Sequence, residues 1–400
     1  MDSYNLNRKV IVVGSGPAGL MAAELLSASG VEVYVLEKEK RIGKKFLVAG
    51  YGGLNLTHSI PPEQLIEHYQ DPLWAKQIIS SFPPKDFVQW LHSSLLIDTF
   101  TGSSGRIFPD KKIKPAQVLS SWVKRLKHKG VKFLLNTAIE KIDYPHVLVN
   151  DQSSKNWCQP KAILFALGGA SWEKTGSNGR WRSWFPSTDF LPANTGLTVN
   201  WSAYFIKKFE GQALKFVNAS FDKKQKTGDI IITHYGVEST PIYHISAEVV
   251  NALQRKKTCT VLLDIKPSLT TKQLQQKVKP TDSWQTCFNK WNLSALQKAL
   301  VVEVIGKNNL TTEYLAEKIK SLPLKIKGYR GFNEAISTQG GVPKTALSKG
   351  LELKKYPNWW VAGEMLDQDG PTGGFLIQHA VSSARVAAYN LIHKCLMEVR

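Results

Sequence analysis

An α/β fold built on a parallel sheet, interrupted by an inserted β-rich and then helical segment, is what this 400-residue sequence predicts. Three observations predict it. A short apolar strand near the N-terminus runs through a glycine-rich turn into an Ala/Leu-rich helix and a second strand. A second glycine-dense turn, also leading into a long helix, lies near the C-terminus, so both ends of the chain are expected in one discontinuous domain. Between them the pattern shifts to alternating β-rich runs and then to helical periods. The length also exceeds one ordinary core, so more than one domain is expected.

The first strand is read at residues 9–13 (KVIVV), a β-rich run suited to burial on both faces. It enters Gly14-Ser15-Gly16-Pro17-Ala18-Gly19, which fits G-x-G-x-x-G, the Rossmann-like dinucleotide fingerprint. Residues 20–29 read as a helix ended by Gly30, and 31–36 as a strand closing on Glu37. Each glycine has a separate task. Gly14 permits the tight turn, Gly16 lets the backbone approach a pyrophosphate, and Gly19 allows close helix–strand packing. Amides at the helix start face the phosphates. Glu37, 18 residues after Gly19, is placed to accept the ribose hydroxyls of an adenosine, and its charge argues against a 2′-phosphate there.

Near the other end, a short strand at 359–362 stops at Gly363, and 375–395 reads as a long amphipathic helix. Gly373 and Gly374 then sit at a helix N-terminus, with free amides and the positive end of the dipole. The cofactor-binding domain is placed at 1–195 and 343–400, with an exit loop marked by Pro192 and Asn194. A β-barrel-like insert is expected at 196–265 and 326–342, and a helical subdomain at 266–325. A second G-x-G-x-x-G is absent from the sequence, so NADH or NADPH would visit only transiently, as electron donor.

Composition narrows the class. A hydrophobic fraction of 42% with 21% charged residues is globular, not disordered. The net charge of +20 favours a polyanion, an acidic surface or anionic small ligands. Residues 196–330 hold 21 Lys and Arg against 10 Asp and Glu, so this third of the chain carries more than half of the excess. Clusters at Lys207-Lys208, Lys223-Lys224 with Lys226, and Arg255-Lys256-Lys257 make a phosphate-rich molecule such as RNA the expected partner beside a small-molecule substrate. Trp201, Trp284 and Trp291 are candidate stacking platforms for bases. A solvated basic surface is the alternative. Cys158, Cys259, Cys287 and Cys395 have neither metal-site nor disulfide-framework spacing, and no metal is expected. Apolar runs fall short of the roughly 20 residues that cross a bilayer, and the opening MDSYNLNRKV lacks the apolar stretch of a secretory leader. A cytoplasmic location is expected.

The proline in G-x-G-P-A-G and the Glu37-Lys38 pair resemble flavoproteins of the glutathione-reductase type. Residues 43–58 (GKKFLVAGYGGLNLTH) resemble the G-[RK]-K-x-x-x-[SA]-G-x-G-R-C-N-x-T-N stretch of the BaiN/YhiN-like flavoproteins, with Gly53, Leu54 and His58 replacing Arg, Cys and Asn. Gly105-Arg106-Ile107-Phe108-Pro109, the strand end at Asn136–Ile139, and Phe165-Ala166-Leu167-Gly168-Gly169 continue the resemblance. So do Thr233–Pro241, Gln339–Val342 and the most specific stretch, Ala362-Gly363-Glu364 through Asp369-Gly370-Pro371-Thr372-Gly373-Gly374-Phe375. The resemblance implies FAD, held by the fingerprint, Glu37, Lys38, Lys45, Asn55, Thr57, Ala138, Ala166, Gly168, Gly363, Glu364, Gly373, Gly374 and Phe375. Loss of the Cys implies that no thiol beside the flavin does chemistry.

His234 is the candidate proton donor or acceptor, because an imidazole titrates near neutrality. Arg106 is the candidate anchor for an anionic or carbonyl-bearing substrate. Three functions stay open: an NAD(P)H-driven reductase of an activated C=C bond, for which the resemblance implies uracil in ribosomal RNA as one substrate and the basic insert favours it; an FAD-dependent oxidase of a small amine, also implied by the resemblance; and a non-catalytic flavin-containing RNA-binding protein.

Overall fold

The computed structural model describes residues 5–50, 53–308 and 310–397. Tyr51 and Gly52 of the glycine-rich stretch, residues 1–4 and the side chain of Cys395 lie outside the described residues. The chain divides into two compact units, Met1–Phe190 with Ser337–Arg400, and Leu191–Ile336.

The first unit is organised by a five-stranded parallel sheet. Its order is Trp359–Val361, Ala162–Phe165, Val10–Val13, Val33–Glu37, Lys132–Leu135. The first strand is central and all four of its residues are buried, as a parallel strand covered on both faces requires. Register sets the site: Val13 pairs with Phe165 and with Leu36, so the turns after three adjacent strands open at one edge. The first helix begins at Pro17 rather than at residue 20, because proline's fixed φ suits the first helical turn, and it ends at Ala28. The helix Phe375–Met397 packs along it. Residues 44–49, within the glycine-rich 43–58 stretch, form the short helix Lys44–Ala49, entered through Gly43 at φ 64°. A small antiparallel sheet, Thr57–His58, Arg106–Pro109 and Thr99–Thr101, stands beside these elements.

The second unit is a seven-stranded antiparallel sheet with helices around it. The strands Leu322–Ile326 and Gly328–Tyr329 are one run of chain parted only at Lys327. This run pairs with Cys259–Asp264 at one end and with Leu197–Thr198 at the other, so the sheet closes on itself as a barrel. The division differs from the expected one in three places, and residues 191–195 fall in the second unit. Residues 337–342 belong to the first unit, because Thr338 and Val342 bond to the 364–366 turn. The stretch 266–325 is not a separate helical body: Phe288, Leu300 and Leu315 share one core with barrel residues Val217, Ile230 and Val261. It also includes most of the closing strand. Trp291 is fully buried in that core, so it is a core residue rather than an exposed platform, while Trp201 and Trp284 are partly buried and pack against it.

Candidate functional site

The three fingerprint glycines do not all meet the same surroundings. At Gly14 (φ 105°) a Cβ would stand 2.3 Å from the Ala166 carbonyl oxygen, and at Gly19 it would stand 1.9 Å from the Gly14 oxygen. Both are packing constraints, and the first places Ala166 against the turn. At Gly16 a Cβ would meet nothing within 4 Å, and φ is an ordinary −74°. Open space therefore lies before the first helix, where its unpaired amides point.

The Glu37 carboxylate is fixed from its own surroundings. Its Oε2 accepts from the Ser15 amide at 3.2 Å and from the Ser15 hydroxyl, and its Oε1 accepts from the Glu39 amide at 2.9 Å. Ser15 Oγ also accepts from the Gly43 amide at 3.1 Å, so one buried hydroxyl ties the first turn to the second strand and to the next turn. Next in sequence, Lys38 is exposed at the surface, yet its ammonium pKa is lowered by desolvation, which outweighs the neighbouring Glu39 and Glu37. Ala138 opens the strand after Asn136 and Thr137, whose amides bond the Glu39 and Glu37 carbonyls, so it is held next to the end of the second strand.

Lys45 is bound by protein groups: its Nζ donates to Glu364 at 2.7 Å and to Ser171 Oγ at 2.7 Å. Glu364 also accepts from the Gly169 amide at 3.2 Å and the Thr338 amide at 3.0 Å. Four chain segments meet at this carboxylate. Ser171 and Thr338 were missed as site residues, although the motif glycines beside them were the available signal. Gly168 (φ 71°) stands over Ser177, and Gly363 (φ 75°) lies against Ala18 of the first helix.

At the C-terminal helix, Gly374 (φ 100°) lies against the Thr57 backbone, where a Cβ would stand 2.5 Å from the Thr57 oxygen. Thr57 itself is fully buried and its hydroxyl donates to Gln378 at 2.6 Å, so it braces the helix start. A Cβ at Gly373 (φ 105°) would stand 3.0 Å from Arg106 Nε, which places Arg106 across the first amides of that helix. Phe375 is buried among the rings of His58, His68 and Tyr69.

His234 is in the second unit, exposed on the turn between Lys224–Thr233 and Gly236–Glu238, with Nδ1 3.2 Å from Glu210 and its ring edge-on to Tyr235. The structure thus brings Arg106 to the glycine-rich helix start in the first unit, and gives His234 a carboxylate neighbour in the second.

FAD fits the residues present. The open space at Gly16 suits a pyrophosphate, and the Asn55 side-chain oxygen is buried without a partner among the described residues, as a group awaiting a donor would be. Groups of three or more His, Cys, Asp and Glu able to hold a metal are absent among the described residues. None of the described helices is long and apolar enough to cross a membrane.

The chain is 25% identical over 417 residues to a ribosomal RNA dihydrouridine synthase of Haemophilus influenzae, covering 98% of this chain and 99% of that protein. It is 23% identical over 405 residues to a 3-dehydro-bile acid delta(4,6)-reductase of Clostridium scindens, covering 95% and 98%. Among solved structures, a 3-ketosteroid delta1-dehydrogenase from Sterolibacterium denitrificans shares the fold at a TM-score of 0.51 and 11% identity, covering 98% of this chain and 100% of that one. Residues 8–390 match the HI0933-like protein Rossmann domain, and the chain belongs to that family as an FAD-dependent oxidoreductase.

Proposed function

We propose that the protein is an NAD(P)H-driven reductase of an activated C=C bond, and that uracil in ribosomal RNA is the substrate its charge favours. The observation that carries the reading is resemblance over nearly the whole chain to two relatives named for reduction of such bonds, a dihydrouridine synthase and a delta(4,6)-reductase. The basic second unit supports the RNA version. On the hairpin between Ala213–Phe221 and Lys224–Thr233, Lys223 and Lys226 are exposed and Lys224 is partly held by Glu248 at 2.7 Å.

FAD, when bound, would supply the two-electron chemistry by which NADH or NADPH reduces the double bond. The chain does the rest. The 14–19 turn and Glu37 hold the nucleotide end, while the first amides of the C-terminal helix favour negative charge where they point. Arg106, across those amides, anchors the substrate's electron-withdrawing group. The second carbon takes a proton, for which His234, beside Glu210, is the proposed donor. A His234→Ala variant should lower substrate turnover by about 10²–10⁴ and keep its flavin spectrum.

The test is direct. NADH or NADPH should bleach the flavin in a stopped-flow instrument, and ribosomal RNA from a strain lacking the protein should lose dihydrouridine. Unchanged dihydrouridine content removes the RNA version. Fast reoxidation by air with a small amine as reductant favours the oxidase instead.

A further inference from the structure

The small sheet beside the C-terminal helix carries a second polar residue, one that the nucleotide fingerprint does not include. His58 and Arg106 are directly paired across antiparallel strands. Cross-strand partners project from the same face, with Cβ atoms about 5 Å apart. The other contacts of both residues lead to one place. Arg106 lies across Gly373, and the His58 ring packs on Phe375 with centroids 5.3 Å apart. Thr57, just before His58, is the residue against which Gly374 rests. Gly105 makes room for the imidazole, since a Cβ there would stand 2.5 Å from His58 Cε1.

The protonation state of this imidazole is set by its surroundings. The Ile60 amide donates to His58 Nδ1 at 3.3 Å. An imidazolium needs a proton on Nδ1, so this contact favours the neutral ring with its hydrogen on Nε2. Arg106, the charged group on the neighbouring strand, disfavours a second cation beside it, and so does the positive end of the C-terminal helix. Beyond Phe375 stand His68 and Tyr69, the latter buried and with its phenol pushed well above the ordinary range by desolvation. Neither supplies a negative charge that would favour imidazolium.

We propose that His58 is held as a neutral imidazole donating from Nε2, and that with Arg106 it forms a two-donor cradle for a carbonyl or enolate oxygen of the substrate. This rests on the C=C-reduction reading. It assigns the oxygen end of the activated system to the first unit, leaving the proton on carbon to another group. A neutral donor suits the task. It strengthens its hydrogen bond as charge develops on the oxygen, and it stays competent across physiological pH.

Two measurements on the FAD-loaded protein test the proposal. In ¹⁵N-labelled holoprotein, the His58 ring signals should report an Nε2–H tautomer whose protonation midpoint falls below the ordinary value of about 6.5. A midpoint at or above that value, or an Nδ1–H tautomer, overturns the assignment. In the second measurement, dithionite-reduced holoprotein is mixed anaerobically with 2-cyclohexen-1-one and its single-turnover reoxidation is timed. His58→Ala should slow this step by about 10²–10³, the effect of losing one oxyanion donor. His58→Gln, which keeps an N–H donor, should recover most of the rate, and it serves as the test if the Ala variant fails to retain FAD. A His58→Ala rate equal to wild type sinks the cradle but leaves the C=C reading standing. Wild-type protein that the enone does not reoxidise sinks that reading, and the carbonyl cradle falls with it.

Discussion

Two glycine-rich turns in the first unit each launch a helix, yet their glycines serve opposite ends. At the first, Gly16 faces empty space while Gly14 and Gly19 are pressed on backbone, so two glycines serve packing and one leaves space open. At the second, Gly374 is pressed on Thr57 and Gly373 on Arg106, both at φ near 100°. The first turn is a local device, complete within strand, turn and helix. The second is assembled from distant segments: the 57–58 strand, the 106–109 strand and the C-terminal helix. The first turn can therefore be read from a contiguous motif, whereas the second is built by tertiary contact.

The sharpest way to break this contrast is at Gly16. Gly16→Val should leave the circular dichroism of the fold unchanged but abolish FAD binding, since the side chain occupies the space that a pyrophosphate needs. FAD released at wild-type stoichiometry on denaturation would mean that the first turn holds no phosphate.

Gly374→Ala should do the reverse and strike stability first. Backbone strain at positive φ and overlap with Thr57 together cost about 3 kcal/mol or more. The urea midpoint of the apoprotein should drop accordingly. An unchanged midpoint would show that the second turn relaxes freely and is not the rigid assembly described.

The pH dependence of stability probes the seat of the second helix. His379 is buried on it, its Nε2 has no partner among the described residues, and desolvation lowers its pKa to about 4. The unfolded chain binds the proton near the ordinary value of about 6.5. Below that pH the unfolded state takes up the proton first, so stability is full above about 6.5 and is lost as pH falls toward 4. The loss should approach about 3 kcal/mol, near 1.4 kcal/mol per unit. His379→Leu should flatten this part of the profile, and an identical slope in the variant would assign the acid sensitivity elsewhere.

The smallest expected effect is at the tie between the two ends of the chain. Lys45→Met removes the 2.7 Å pair with Glu364 and leaves its Gly169 and Thr338 amide contacts in place. A loss of about 1–2 kcal/mol in stability is expected, with FAD retained at high cofactor concentration. If Lys45 instead serves a phosphate, FAD affinity will fall with no change in apoprotein stability, a result that moves this lysine from the tie to the nucleotide end.

What the sequence determined by itself was whatever is encoded locally: the strand–turn–helix at 10–28, the acid at Glu37, and the glycine-rich start of the last helix. Fixed spacing and a positive φ admit few residue types, so the composition of those turns reveals them. Local signals also found the strand alternation of the insert and its excess of lysine. Tertiary structure alone decided the remainder. The side chain that receives Lys45 is Glu364, 319 residues away, and no periodicity reports such a pairing. Thr57 reads as a ligand residue by motif, but the fold turns its hydroxyl to Gln378. His58 stands in the sequence as a mere departure from a pattern, and only the pairing of two short strands sets it beside Arg106 at the helix start. Hydrogen bonds and close approaches between distant segments depend on register and crossing, which arise when strands pair, and a linear pattern does not contain them.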